Sequence, residues 1–215
     1  MAKKKSGKPL HEQAYEKIKH LIITLQFQPG TYLNEAYVSD LIKTGRTPVH
    51  QALNRLMLEG MVEVIPRKGF IVKAVSLNEV MEIIDVRLIN EVECVRLAAA
   101  RASEKDIENL SRTFEKSTEA SKNVDIEQQM LLDREFHDHL SKATKNVVLG
   151  DLLRNLHERS LRFWFISLTD ANHHSSVQKE HQTILEAIKD HDEEAATGAI
   201  RNHIESFRKN IMAQI

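Results

Sequence analysis

The sequence predicts a mainly α-helical chain in two parts: three short helices closed by a β-hairpin, then an antiparallel bundle of six helices. Apolar residues recur at helical spacing over most of the chain, and the period changes to short β-prone runs only between about residues 61 and 73. Glycine then almost disappears, with Gly150 and Gly198 the only two beyond Gly69. With 7 glycines and 4 prolines in 215 residues, little interrupts long helices in the C-terminal two thirds.

Residues 10–26 read as the first helix, with Leu10, Ala14, Ile18, Leu21 and Leu25 at helical spacing and Pro29-Gly30 ending it. A second, short helix is expected at about 34–43, with Val38, Leu41 and Ile42 apolar. Gly45-Arg46-Thr47-Pro48 then turns into a third, since proline is tolerated in a first helical turn. That helix directs Val49, Ala52, Leu53 and Leu56 inward and stops at Gly60. The β-prone runs 61–65 and 70–73 flank Pro66-Arg67-Lys68-Gly69. Three helices and a hairpin tipped by Arg-Lys-Gly describe a winged helix-turn-helix.

Ser76-Leu77-Asn78-Glu79 has the capping-box pattern, so a long helix starts there and runs to about Ala102. Ser103 to Asp106 resembles a second cap, and further helices are expected at 104–121, 125–143, 146–168, 174–190 and 192–213. The chain thus divides into a basic flexible tail (1–8), a winged helix-turn-helix (9–75) and an all-helical domain (76–215).

Charge follows this division. Residues 1–75 hold twelve Lys/Arg against six Asp/Glu, while 76–215 hold eighteen against twenty-five. A basic small domain beside an acidic larger one suits a polyanionic partner for the first. The four tail lysines account for much of the excess, so charge alone supports this only weakly. A single cysteine, Cys94, excludes an intrachain disulfide and fits a reducing compartment. No apolar run approaches the roughly 20 residues that span a bilayer, and the basic start runs straight into His11 and Glu12. A cytoplasmic protein with no membrane partner is expected.

A helix that reads the major groove needs donors near its N-terminus. Arg46 and Thr47 stand at the start of the third helix and His50 one turn on, while Arg67 and Lys68 tip the hairpin and Gly69 permits close backbone approach. On polarity alone, a solvated face of a protein-binding module fits equally well. The run GRTPVHQALNRLMLEGMVEVIPRKGFIV, however, resembles the DNA-binding domain of the GntR superfamily, over about residues 10–75. The resemblance implies double-stranded DNA contact by Arg46, Thr47, His50 and Gly69. Gly45 departs from the family's usual Ser or Thr and His50 from a second Arg, while Ala36 and Tyr37 stand where Arg is frequent. Arg46 is therefore expected to carry most of the base recognition.

In the bundle, Asp133 and His137 are at i and i+4 within the stripe Met130, Asp133, His137, Leu140. His181 falls in the stripe Val177, His181, Leu185, Ile188, and His203 in Ala196, Ile200, His203, Phe207, Ile211. Four polar residues thus occupy positions that the helical period assigns to the core, at roughly 1–3 kcal/mol each if left without partners. One divalent ion held by all four would satisfy them together, and a carboxylate with three imidazoles suits Zn, Ni or Mn. Separately satisfied core histidines remain the alternative. His139 points away from His137, His173 and His174 sit at a helix start or loop, and His191 lies in a turn.

The pattern D-x-x-x-H in LDREFHDHL, followed by KEHQTILEAI and His203, is similar to the FCD effector domain of FadR-type regulators over 76–215. Six helices place it nearer the VanR-like subset. That resemblance implies a metal at Asp133, His137, His181 and His203, a small carboxylate effector, and a homodimer on a pseudo-palindromic operator, most relatives being repressors. It also matches Arg87 to a family arginine near the pocket. Arg87 could receive an effector carboxylate or pair with a neighbouring Glu; Arg134 and Arg162 are further effector candidates. A metal-dependent enzyme, or a bundle that only dimerises, are the competing readings. No residue spaced as a general base beside the metal favours the enzyme.

Overall fold

The structure is a computed structural model describing residues 8–74, 76–167 and 171–213, with the side chains of 166–167 and 171–175 outside the description. Most of the basic tail therefore lies outside the described residues, as do the side chains of His173 and His174. Two compact units divide at Val75/Ser76.

In the first unit α1 (Leu10–Ile23) buries Ala14, Tyr15, Ile18, Ile22 and Ile23. Its inward face is rotated from the expected stripe, and Leu10 is 59% exposed. The helix stops short of residue 26 because Leu25 takes a φ of +60°, after which the Phe27 amide turns back to the Leu21 carbonyl at 2.8 Å. Phe27, buried, completes the core at that end. A polar clamp fixes α1 to α3 (Arg46–Leu58): the Tyr15 hydroxyl donates to Glu59 at 2.7 Å, and the Arg55 guanidinium lies 3.6 Å above the Tyr15 ring.

Asn34 caps α2 (Glu35–Ile42) by accepting from the Ala36 and Tyr37 amides. Lys43, with φ +54°, reverses the chain toward α3, and the Ser39 hydroxyl fastens this turn by donating to the Thr44 carbonyl. The face of α3 formed by Val49, Ala52, Leu53 and Leu56 is buried as the period requires. Strands β2 (Val62–Ile65) and β3 (Gly69–Val72) form the expected hairpin. A two-residue strand β1 (Tyr32–Leu33) joins the far edge of β3, giving a three-stranded antiparallel sheet of order β1-β3-β2.

The second unit contains α4 (Leu77–Arg101), α5 (Glu104–Lys122), α6 (Ile126–Ala143), α7 (Val147–Ser167), α8 (Ala171–Lys189) and α9 (Glu193–Ala213). No strand is present in it among the described residues. Helix α4 packs on α9, α6 and α7, while α5 joins α6 to α8 and α8 lies on α9. Ser76 caps α4 through the Glu79 amide at 3.1 Å, but the Glu79 carboxylate turns to Arg159 at 2.6 Å, so the box is not reciprocal. The complete capping box is at α5, where Ser103 and Asp106 satisfy each other's amides. Cys94 is packed with Leu153 and Leu156, and burial pushes its thiol up to about 12.

Candidate metal centre and nucleic-acid interface

Three helices bring the expected quartet together. Asp133 and His137 come from α6, His181 from α8 and His203 from α9, all buried. One potential ligand atom from each lies within 4.8 Å of the others. His181 Nε2 is 3.3 Å from Asp133 Oδ1, and His137 Nε2 is 4.0 Å from the same oxygen. The His181 ring also stacks on Phe136, with centroids 4.5 Å apart, which fixes its plane.

Neighbouring groups hold the outward atoms of this set. His203 Nδ1 is 2.8 Å from Glu180 Oε2, His137 Nδ1 is 3.1 Å from Glu91 Oε2, and Asp133 Oδ2 is 3.2 Å from His157 Nε2. The Glu91 contact is close in distance but off the hydrogen-bond direction, and Glu91 Oε2 makes no directed bond. Asp133 Oδ1, His137 Nε2 and His181 Nε2 are also buried without a hydrogen-bond partner among the described residues. Carboxylates behind ligating imidazoles fix tautomer and ring orientation.

The electrostatics match this arrangement. Burial would raise the Asp133 carboxyl, but the surrounding imidazoles of His157, His181 and His137 outweigh it and hold the group well below the usual carboxylate range. Burial pushes His137 down, with His157 adding to the shift against the pull of Glu91 and Asp133. Burial likewise lowers His203, against Glu180. An ionised carboxylate and neutral imidazoles are the forms that accept a metal ion.

Of the three arginines expected to receive an acid, Arg87 is buried with its Nε donating to Glu91 Oε1 at 2.5 Å and Nη1 to the Ser160 hydroxyl at 3.3 Å. The neighbouring-Glu alternative is the arrangement found. Arg134 Nη1 is 3.4 Å from Glu158. Arg162 is buried, which lowers its pKa against the attraction of Glu79.

Sequence reasoning missed His157, Glu180 and Glu91 as members of the site. His157 lies on the buried stripe Leu153, Leu156, His157, Ser160, Leu161, Trp164 of α7, so the period that flagged the other histidines also flags this one. Glu91 is four residues from Arg87 on the buried face of α4. Glu180 adjoins His181 and carried no signal of its own.

In the first unit Arg46 and Thr47 open α3 and are exposed, with Gly45 as N-cap lacking a side-chain cap. No hydrogen bond or ion pair engages the Arg46 side chain among the described residues. The first α3 amides are thus directed to solvent beside a cation, a combination suited to phosphate. His50 is turned to a partner of its own chain, Glu35, at 2.8 Å. At the wing the Lys68 amide bonds the Ile65 carbonyl at 3.0 Å. Pro66 followed by Arg67 at φ +64° is the pattern of a type II turn. Arg67 and Lys68 are both exposed, as is Gly69 at φ +92°. The Lys68 ammonium lies 5.8 Å over the Tyr32 ring.

Comparison with known proteins agrees with both units. Residues 10–72 match the model of the bacterial regulatory proteins of the gntR family, and residues 82–206 match the FCD domain. The Nta operon transcriptional regulator of Aminobacter aminovorans is 28% identical, over 89% of this chain and 90% of its own. The HTH-type transcriptional repressor RspR of Escherichia coli K12 is 23% identical, over 94% and 89%. Among solved structures, E. coli McbR/YncC superposes with a TM-score of 0.86 at 21% identity, over 97% of this chain and 99% of that one. With this fold and these relatives, the chain belongs to the GntR family of bacterial regulators that carry an FCD domain, and is a DNA-binding transcription regulator rather than an enzyme.

Proposed function

We propose that this regulator is a cytoplasmic homodimeric repressor of a pseudo-palindromic operator, its operator affinity controlled by a small carboxylate that binds at a divalent transition metal in the bundle. The observation that carries the metal is the set of buried atoms without partners, Asp133 Oδ1, His137 Nε2 and His181 Nε2. They belong to a quartet whose ligand atoms lie within 4.8 Å of one another. One carboxylate oxygen and three imidazole nitrogens fit Zn, Ni or Mn. A bound ion supplies a Lewis-acid position for a ligand oxygen. The chain's own part is to hold four donors fixed and nearly dry, with Arg87, linked to His137 through Glu91, as the first cationic group for an acid and Arg134 and Arg162 as further candidates.

Exposed apolar residues on the bundle, Ile89 on α4 and Val147 and Val148 on α7, support self-association. RspR, one of the relatives, is named a repressor. On DNA, Arg46 and Thr47 meet bases and phosphates from α3, with Arg67, Lys68 and Gly69 at the adjacent backbone or minor groove. The ligand shifts operator affinity only by its differential affinity for the two states of the protein.

Elemental analysis of purified protein, followed by a thermal-shift panel of carboxylates, tests the bundle. His181→Ala is expected to abolish metal content and the carboxylate response together; a normal response in that variant overturns the metal's role. Arg46→Ala is expected to reduce operator affinity to the non-specific level while leaving fold and dimer unchanged. Unaltered affinity in a gel-shift titration at fixed salt overturns the assignment of Arg46.

A further inference from the structure

We propose that His157 is a positioning residue of this centre, one that holds the far oxygen of Asp133 so that only the near oxygen faces the three ligand histidines. The inference rests on the reading that the quartet holds an ion.

His157 reaches Asp133 from a fourth helix, α7, which supplies none of the quartet. Its Nε2 is 3.2 Å from Asp133 Oδ2, while the other carboxylate oxygen, Oδ1, is the one 3.3 Å from His181 and 4.0 Å from His137. The two oxygens are therefore differentiated by what they meet. A carboxylate anchored at one end offers a single oxygen in a fixed direction. One free at both ends can swing or chelate, and loses the preorganisation that outer-shell partners supply.

Burial adds to the case. His157 is only 6% exposed, and its Nδ1 has no hydrogen-bond partner among the described residues. The rest of its stripe is Leu153, Leu156, Ser160, Leu161 and Trp164, mostly apolar, so a leucine would suit the position on packing grounds alone. An imidazole that is satisfied at one nitrogen only, and there by Asp133, is placed for that contact.

His157 also falls in a second buried group with Glu91 and His137. A cation there would sit against the Arg87 guanidinium, which already holds Glu91 Oε1 at 2.5 Å. Like-charge repulsion at that range in a buried site disfavours a second ion. The contact with Asp133 is the better account of His157.

Cobalt(II) titration of the metal-free, full-length protein tests this. The readouts are d–d absorption, ions bound per chain and affinity from a competing chelator. Wild type is expected to take one ion per chain. His157→Leu should also take one, about 10- to 100-fold more weakly, with an altered d–d spectrum and a smaller metal-induced rise in melting temperature. His157→Gln, which keeps an N–H donor at similar reach, should recover affinity to within a few-fold. If His157→Leu does not fold, His157→Asn, too short to reach Asp133, replaces it with the same expected loss. Wild-type affinity and spectrum in the Leu or Asn variant, or equal impairment in Gln and Leu, overturns the proposal. Two ions in wild type against one in His157→Leu makes His157 a ligand in its own right and equally overturns it. If wild type takes no cobalt, the metal centre itself fails and the positioning role with it.

Discussion

Arg67→Gly should stabilise the winged domain while weakening its grip on DNA, and the two effects can be measured apart. Arg67 holds a φ of +64° at the third position of the wing turn, directly after Pro66. The left-handed region costs a side-chain-bearing residue about 1–2 kcal/mol, and glycine is the usual occupant at this place in a type II turn. Glycine restores about 0.4–1 kcal/mol of unfolded-state entropy in the opposite direction, leaving a net gain of roughly 0.5–1 kcal/mol. No packing is lost, because Arg67 is exposed. On DNA, one cation fewer at the phosphates should reduce the slope of log affinity against log salt by about 0.9, close to a five-fold loss at 0.15 M salt. Urea unfolding gives the first quantity and a salt series of gel shifts the second. A variant less stable than wild type would refute the strain argument. A more stable variant with an unchanged salt slope would remove Arg67 from the DNA interface.

Two further predictions concern stability. Gly45 caps α3 with φ −66° and ψ 158°, which any residue can adopt, and an added Cβ would meet only Pro48 at an ordinary 3.5 Å. Since Pro48 has no amide, Gly45→Ser can cap the Thr47 amide alone; together with the entropy removed from the unfolded chain, the gain should be about 0.5–1 kcal/mol in urea unfolding. The second concerns pH in the metal-free protein. His137 and His203 are both pushed below the ordinary histidine value, by burial first. Below about pH 6.5 the unfolded chain therefore binds protons that the folded chain refuses. Stability from these groups is full above that pH and should fall as the solution is acidified, by up to about 1.4 kcal/mol per pH unit for each histidine. A flat unfolding profile between pH 7 and 5 would contradict the neutral assignment.

Helical period revealed the quartet because it places Asp133, His137, His181 and His203 on apolar stripes, and burial is what a stripe encodes. The same rule reaches His157, whose buried stripe on α7 is apolar but for Ser160. It cannot reach Glu180, which is 19% exposed at the side chain and meets His203 only because α8 lies on α9. Nor can it choose the partner of Arg87. The i,i+4 spacing allows Glu91, and tertiary placement adds Ser160 against Arg87 and His137 beside the second carboxylate oxygen of the buried pair. Strand β1 was hidden for a similar reason. Two residues carry no period, and Tyr32 and Leu33 are a strand only because β3 offers them an edge. The inward face of α1 differs from the expected stripe because Leu10, at its start, is exposed and Leu25 lies past its end at φ +60°, where Phe27 fills the core instead. The two caps show the limit of motif reading, since Glu79 completes the pattern in sequence but is drawn to Arg159 in the fold.

The pairing of the arginines constrains how an acid can act. Arg87 faces Glu91, Arg134 faces Glu158 and Arg162 lies near Glu79. An acid that engages Arg87 would therefore exchange with a carboxylate of the protein instead of filling an uncompensated cationic site. Removing one partner of a buried ion pair costs about 3–5 kcal/mol when the other is left alone. Glu91 need not be left alone, because its Oε2 already lies 3.1 Å from His137 Nδ1. Giving up Arg87 would shift its interaction toward His137, a member of the quartet. Acid at Arg87 and ion at His137 would then be coupled through one carboxylate, and by linkage each must change the affinity of the other by the same factor. That coupling separates a ligand-responsive centre from an inert structural metal.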